Sequence, residues 1–348
     1  MNTQITIVAG LGYSDEGKGH IVQLLTNNTK TYSNTKYNIV MRTNGSWSSS
    51  HQVDIDNKLK CFHLPSVIDK ETVLIVGPGM YVYPNILLEE LQQDFRKKQN
   101  IYICDECFVI EDEILQSYES NSSIGTLGSG VRNTGIKKLN HQAKKLKDIV
   151  DDVNFTKLKK YLITDDEYFN LMNGKNILVE GSHGYLIDCN FGIYPYTTST
   201  NTTSASIMGL TKFGPECYSQ TIFVSGLILM SLSVHPDHKT YSQYGLEWIK
   251  DLIPDNIKYD YACGSRMKRN FGPFNFDISK SIIRYYPKCQ IFFTFFDIIN
   301  KIGTFHYICN SKLEFIEKKS DVNFQKEIEE LMYEKLNVQI IICEKPFE

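Results

Sequence analysis

The chain has 348 residues, 42% of them hydrophobic, with 37 Lys+Arg against 40 Asp+Glu and a net charge of −3. That is enough apolar material for a large core, in one large domain or two ordinary ones. No basic block is long enough for a nucleic-acid footprint. Lys144-Lys145-Leu146-Lys147 and Lys157-Leu158-Lys159-Lys160 sit among acids and apolar residues, as solvated helix faces do.

The first element is an apolar strand, Ile5 to Ala9, with no signal or transit segment ahead of it. It runs into Gly10-Leu11-Gly12-Tyr13-Ser14-Asp15-Glu16-Gly17-Lys18-Gly19-His20, and Ile21 to Leu25 leave in helical register. Strand, glycine-rich turn and helix is the geometry in which backbone N–H groups and a helix N-terminus cradle phosphate. Gly12, Gly17 and Lys18 have P-loop spacing, but Gly19 stands where a magnesium-binding hydroxyl belongs. Asp15, inside the loop, can take over the metal or act as a base. The same residues also describe a tight turn with a solvated Asp-Glu pair.

Tyr37 to Met41 and Thr72 to Val76 read as strands, and Pro84 to Phe95 as a helix with Leu87, Leu88 and Leu91 on one face. Ile101 to Ile110 reads as a strand, Lys137 to Leu162 as charged and helical, and Asn176 to Glu180 as a buried strand ending at Gly181. Such alternation predicts an α/β fold with a largely parallel sheet and ligands at the carboxyl ends of its strands. There is no linker and no repeat, so the expectation is one domain over residues 1–348. Ile222 to Leu232 is strand-sized and contains Ser225 and Gly226, too short and polar to span a bilayer. A cytoplasmic location is expected. The nine cysteines are scattered, and Cys104-Asp105-Glu106-Cys107 has no second pair at zinc spacing, so buried reduced thiols are expected.

Three loops carry further chemistry. Arg42 to Ser50 is small and polar and delivers His51, which is either a surface residue or a proton donor and acceptor near neutral pH. Glu180-Gly181-Ser182-His183-Gly184, then Asp188 and Tyr194 to Thr203, form either an exposed polar turn or a lining for a polar ligand. Gly264-Ser265-Arg266-Met267-Lys268-Arg269 is a basic surface loop or a clamp for a carboxylate or phosphate.

In this order the pieces resemble the adenylosuccinate synthetase family. Ser14-Asp15-Glu16-Gly17-Lys18-Gly19 matches its first loop with one change, and Arg42 to His51 its catalytic-histidine loop. His63-Leu64-Pro65-Ser66, Val76-Gly77-Pro78-Gly79, Ile124-Gly125-Thr126-Leu127-Gly128 and Val179-Glu180-Gly181 through Tyr194-Pro195-Tyr196 to Thr203 follow. Thr294-Phe295-Phe296-Asp297 looks like the strand whose aspartate reads guanine.

The resemblance implies a P-loop-NTPase-like fold and a homodimer that engages neither nucleic acid nor membrane. It implies a magnesium-dependent ligation in which GTP phosphorylates the 6-oxo group of IMP and L-aspartate displaces the phosphate. Asp15, His51 and Lys18 would be catalytic, and Gly12, Ser14, Glu16, Gly17, Lys18, Gly19 and Asp297 would bind the nucleotide. Ser48, Thr126, His183 and Thr198 would hold the acceptor, and Arg266 with Lys268 or Arg269 the aspartate. Asp15 and the carbonyl of Ser50 would hold the metal.

Both nucleotide-recognition shells depart from the family. Ser48 replaces an asparagine, Leu127 a threonine, Ser129 an arginine, His183 a glutamine and Phe295 a lysine, and the C-terminal loop has become Cys343-Glu344-Lys345-Pro346. These changes leave open dGMP as acceptor, ATP as donor, another carbonyl acceptor, or a nucleotide-binding protein without activity.

Overall fold

A computed structural model describes residues 2–27, 32, 35–52, 60–116, 128–232, 235, 238–260 and 267–343. Its main strands are β1 (Gln4–Gly10), β2 (Ile39–Arg42), β3 (Val73–Val76), β4 (Asn100–Cys104), β5 (Leu162–Ile163), β6 (Asn176–Gly184) and β7 (Tyr218–Gly226). They continue with β8 (Ile228–Ser231), β9 (Asn270–Asn275), β10 (Cys289–Thr294), β11 (Thr304–Cys309), β12 (Lys312–Glu317) and β13 (Gln339–Ile342). Nine of them form one sheet in the order β13-β10-β7-β1-β6-β2-β3-β4-β5. Every neighbouring pair in it is parallel.

A parallel sheet covered on both faces needs strands apolar on both faces. β1 meets that need, with Ile5, Ile7 and Val8 fully buried, and so do Ile177, Leu178 and Val179 of its neighbour β6. Helix α1 (Lys18–Asn27) buries Ile21, Val22 and Leu25 on one side. The predicted helix from Pro84 stops early, as α2 (Pro84–Leu91), with Gln92 as its cap. Further along lie α3 (Val131–Leu139), α4 (Phe296–Ile302) and α5 (Asp321–Leu336), the last burying Phe324, Ile328, Met332 and Leu336 at one-turn spacing.

The fold class expected from the sequence is present, with differences in detail. The strand expected from Ile101 to Ile110 is two, β4 and the short Phe108–Val109, because the chain turns at Asp105-Glu106. Lys137 to Leu162 is not one helix. The amides of Leu146 and Lys147 donate to the carbonyls of Cys107 and Asp105, which fixes that backbone against the strands and leaves only short helical turns. Ile222 to Leu232 also divides, leaving the main sheet at Gly226 and re-entering as β8. There it joins a second sheet, β8-β9-β11-β12, that the sequence reading does not contain.

Cys104 and Cys107 are buried thiols, and burial pushes Cys104 up to about 12. Among the described residues no helix is long and apolar enough to cross a membrane.

Candidate active site

The loop after β1 is built around Glu16. Its carboxylate points inward and accepts the amides of Gly12 (2.9 Å) and Ser14 (3.0 Å). It also pairs with the Lys18 ammonium at 2.7 Å, while the same ammonium donates to the Ser14 carbonyl at 2.6 Å. A Cβ on Gly10 or Gly184 would come within 2.6 or 2.7 Å of that carboxylate, so this packing requires glycine at both positions. Glu16 is therefore not solvated but buried under the loop, whereas Asp15 keeps 27% of its side chain exposed. Gly17 and Ser14 both have positive φ, 83° and 119°.

Gly19 has its own geometric reason. A Cβ there would lie 2.8 Å from Ser66 Oγ and 2.9 Å from His51 Cβ. The absent hydroxyl thus makes room for His51 at the start of α1. His51 Nδ1 faces Glu180 Oε1 in a short hydrogen bond and lies 3.0 Å from Ser66 Oγ. Glu180 is fully buried and accepts Ser66 N (2.7 Å) and Ser66 Oγ (2.6 Å) as well. Burial alone would raise the Glu180 pKa, but His51, Arg42 and Ser66 outweigh it and hold the carboxyl at about 2. An ionised partner at Nδ1 places the imidazole proton there and leaves Nε2 as the other face of the ring. Burial lowers the His51 pKa, and Glu180 only partly opposes this.

Arg42 and Asn44 shape the loop that carries His51. The Arg42 guanidinium is buried and donates to Phe62 O (2.6 Å), Ser49 O (2.9 Å) and Ser182 Oγ (3.1 Å). Asn44 Oδ1 accepts Ser182 N at 2.9 Å, which ties this loop to the end of β6. Ser48 is buried, with its hydroxyl 3.2 Å from that of Ser46, and Ser50 is half-buried. His183, in the left-handed region at φ 61°, lies with Nε2 3.2 Å from Ser49 Oγ. Burial, then Lys18 and Arg42, push its pKa down to about 3, so it is a neutral ring.

The hydroxyl-rich stretch after Asp188 is an ordered loop. Asp188 accepts the amides of Asn190, Phe191, Thr202 and Thr203, and Thr198 N donates to Ile187 O at 2.7 Å. Asp297 lies in the first turn of α4, where burial raises its pKa. The adjoining strand reaches the phosphate loop, because Thr294 Oγ1 donates to Glu16 O at 2.8 Å. Phe295 is buried beside Gly226, where a Cβ would meet its ring at 2.8 Å.

The basic loop is only partly in view. Arg266 and Thr126 lie outside the described residues, and Lys268 is exposed. Arg269 does not stand open to solvent as a clamp would: its Nε donates to Asp15 Oδ2 at 2.6 Å. Burial raises the Asp15 pKa, but Arg269, Lys18 and His183 outweigh it and keep the group below the ordinary carboxylate range.

Among the described residues no three His, Cys, Asp or Glu side chains form a metal cage. One partly exposed carboxylate beside a glycine-rich loop is nevertheless a donor set that would fit a hard divalent cation held mostly by phosphate oxygens and water. Sequence reasoning missed Glu180 and Ser66 as partners of His51. The available signal was an acidic residue in the middle of a central strand, directly after its apolar run.

A sequence profile described as adenylosuccinate synthetase matches residues 7–170 and 156–226. The adenylosuccinate synthetase of Methanocaldococcus jannaschii is 28% identical over 331 residues, 91% of this chain and 90% of that protein. That of Picrophilus torridus is 32% identical over 248 residues, 58% and 57% of the two chains. Among solved structures, fully ligated adenylosuccinate synthetase from Plasmodium falciparum superposes with a TM-score of 0.80. That match covers 99% of this chain and 98% of the other at 16% identity. Cyanophage S-2L succinoaminodeoxyadenylate synthetase, bound to dGMP and dATP, superposes at 0.68, covering 94% and 98% at 15% identity.

Proposed function

Because the chain belongs to the adenylosuccinate synthetase family, we propose that it joins L-aspartate to the 6-position of IMP with GTP, through a 6-phosphoryl intermediate. The observation that carries this reading is the meeting of the glycine-rich loop and the Glu180–His51 pair at Gly19, four positions after Asp15. Phosphoryl transfer asks mainly for positioning and charge stabilisation, and these groups supply both.

In this reading Asp15 accepts the proton of the purine ring nitrogen as the 6-oxygen attacks the γ-phosphorus and the bond to GDP breaks. His51 stabilises charge on the 6-oxygen and the transferring group, held in one tautomer by Glu180. Lys18, on exchanging Glu16 and the Ser14 carbonyl for phosphate oxygens, and the loop amides that Glu16 does not occupy neutralise the donor phosphates. The aspartate amine then attacks C6, phosphate leaves with the C–O bond, and a proton is lost from the amine. Asp15 and the Ser50 carbonyl would hold magnesium, which would supply charge neutralisation at the phosphates.

Ser48, Thr126, His183 and Thr198 form the acceptor side, Asp297 reads the donor base, and Arg266, Lys268 and Arg269 serve aspartate. The protein works as a cytoplasmic homodimer.

A second reading, dGMP as acceptor with ATP or dATP as donor, is favoured by His183 and Phe295, which stand in place of the family's glutamine and lysine. Product analysis with GTP, ATP or dATP, aspartate, and IMP or dGMP separates the two. Adenylosuccinate formed from IMP and GTP is expected. Asp15→Asn and His51→Asn each lower turnover by about two decades or more while the far-UV spectrum is unchanged. Near-wild-type rates in either variant would remove this mechanism.

A further inference from the structure

The salt link between Asp15 and Arg269 has no part in the steps above. It joins two loops 254 residues apart in sequence, with Nε 2.6 Å from Oδ2. Nη1 of the same guanidinium donates to Ile257 O at 2.8 Å. Both side chains keep some exposure, 14% for Arg269 and 27% for Asp15. Lys18, the other cation acting on Asp15, is 2% exposed and committed to Glu16 and the Ser14 carbonyl. Of these two cations at the carboxylate, Arg269 is the more exposed.

A guanidinium on Asp15 Oδ2 and a hard divalent cation on the same carboxylate repel each other, so the two compete for its charge. The Arg269 Nε in turn cannot serve a substrate carboxylate while Asp15 holds it. We infer that Arg269 is an exchangeable counter-ion: a divalent cation arriving with the triphosphate takes its place on Asp15, and the released guanidinium then takes a carboxylate of the amine substrate. The inference rests on the ligase reading for the identity of that substrate.

Exchange has a physical advantage over simple breakage. A partly buried carboxylate stripped of its partner is costly, whereas one that trades one cation for another is never left alone. Lys268, next to Arg269 in sequence, is exposed. Metal–nucleotide and aspartate binding are then linked, and the linkage is reciprocal.

The test uses the full-length protein with Mn2+ as probe, titrated by electron paramagnetic resonance in the presence of a non-hydrolysable GTP analogue. Calorimetry follows L-aspartate. In the wild type, Mn2+ with the analogue should tighten L-aspartate binding, within the roughly 5- to 150-fold span of ordinary couplings. Arg269→Met should bind Mn2+ more tightly than wild type by a factor of about five or more, because the competing cation is gone. It should also bind L-aspartate more weakly, and with no response to Mn2+. Arg269→Lys should keep the sign of the coupling at reduced size, and it stands in if the methionine variant fails to fold.

Equal Mn2+ affinity in wild type and Arg269→Met overturns the exchange, and so does wild-type aspartate binding that ignores Mn2+. A wild type that forms no product and binds no L-aspartate, while Arg269→Met still tightens Mn2+, would retire the ligase reading and keep the exchange at Asp15.

Discussion

Ser14 occupies a backbone conformation that glycine adopts freely and a side chain resists, φ 119°. It is retained because both of its peptide groups are in use: its amide donates to Glu16 and its carbonyl accepts from Lys18. Ser14→Gly keeps those bonds and removes the strain. It should raise stability by about 1 kcal/mol, seen as a higher urea midpoint at unchanged slope.

His183 gives the site an acid-side weakness. Its folded pKa of about 3 lies below the 6.5 of an ordinary histidine, so between those values the unfolded chain binds a proton that the native ring does not. Stability therefore falls as pH drops through that window, by up to about 1.4 kcal/mol per pH unit for the one proton. His183→Gln should flatten the loss between pH 6.5 and pH 4, measured by denaturant titration. Glu180 acts in the same direction in a lower window: its ionised carboxylate stabilises the fold above the ordinary carboxylate range, and that contribution is lost as pH falls from there to about 2. Glu180→Gln leaves His51 without an ionised partner and should cut turnover by about two to four decades, with nucleotide affinity moving far less.

At the scale of elements, the parts with a local signature were legible. The strand–loop–helix at the start, the apolar strands β2, β3 and β6, and the polar loop that ends at His51 each announce themselves through spacing and residue type. Glu180 does not, because nothing local says that an acid in the middle of β6 meets a histidine 129 positions earlier. That contact depends on β6 lying beside β2, a fact of sheet order. The Asp15–Arg269 link was hidden for the same reason. The second sheet was missed because β7 and β8 read as one continuous apolar run.

Packing transmits between elements in a testable way. Phe324 of α5 is fully buried, with its ring centroid 6.3 Å from that of Phe296, the first residue of the helix that carries Asp297. Phe324→Ala should cost about 3–5 kcal/mol through the cavity it leaves. It should also raise the KM for the nucleoside triphosphate more than it lowers kcat. Tyr333→Ala, on the exposed side of the same helix at 60% exposure, should change neither.

Over the whole molecule the two sheets share one apolar core, which runs from Ile5 and Val8 of β1 to Phe271 and Phe274 of β9 and Phe305 of β11. We propose from this continuity that residues 1–348 act as one domain and unfold as one unit. Far-UV and near-UV circular dichroism should then lose signal at the same denaturant concentration, and a separate early transition would mark the second sheet as independent.

The seat of β1 at the middle of the main sheet also governs how the protein is made. Its neighbours are β6 and β7, and Asn176 follows Gly10 by 166 residues. At ribosomal speeds of about 5–20 residues per second, β1 waits roughly eight to thirty seconds for a partner to be synthesised. Throughout that interval a run as apolar as Ile5 to Ala9 has no sheet to enter, and it is a natural substrate for a chaperone at the tunnel exit. Synthesis that stalls before Asn176 would release chains in which β1, a strand from the interior of the sheet, is still bare.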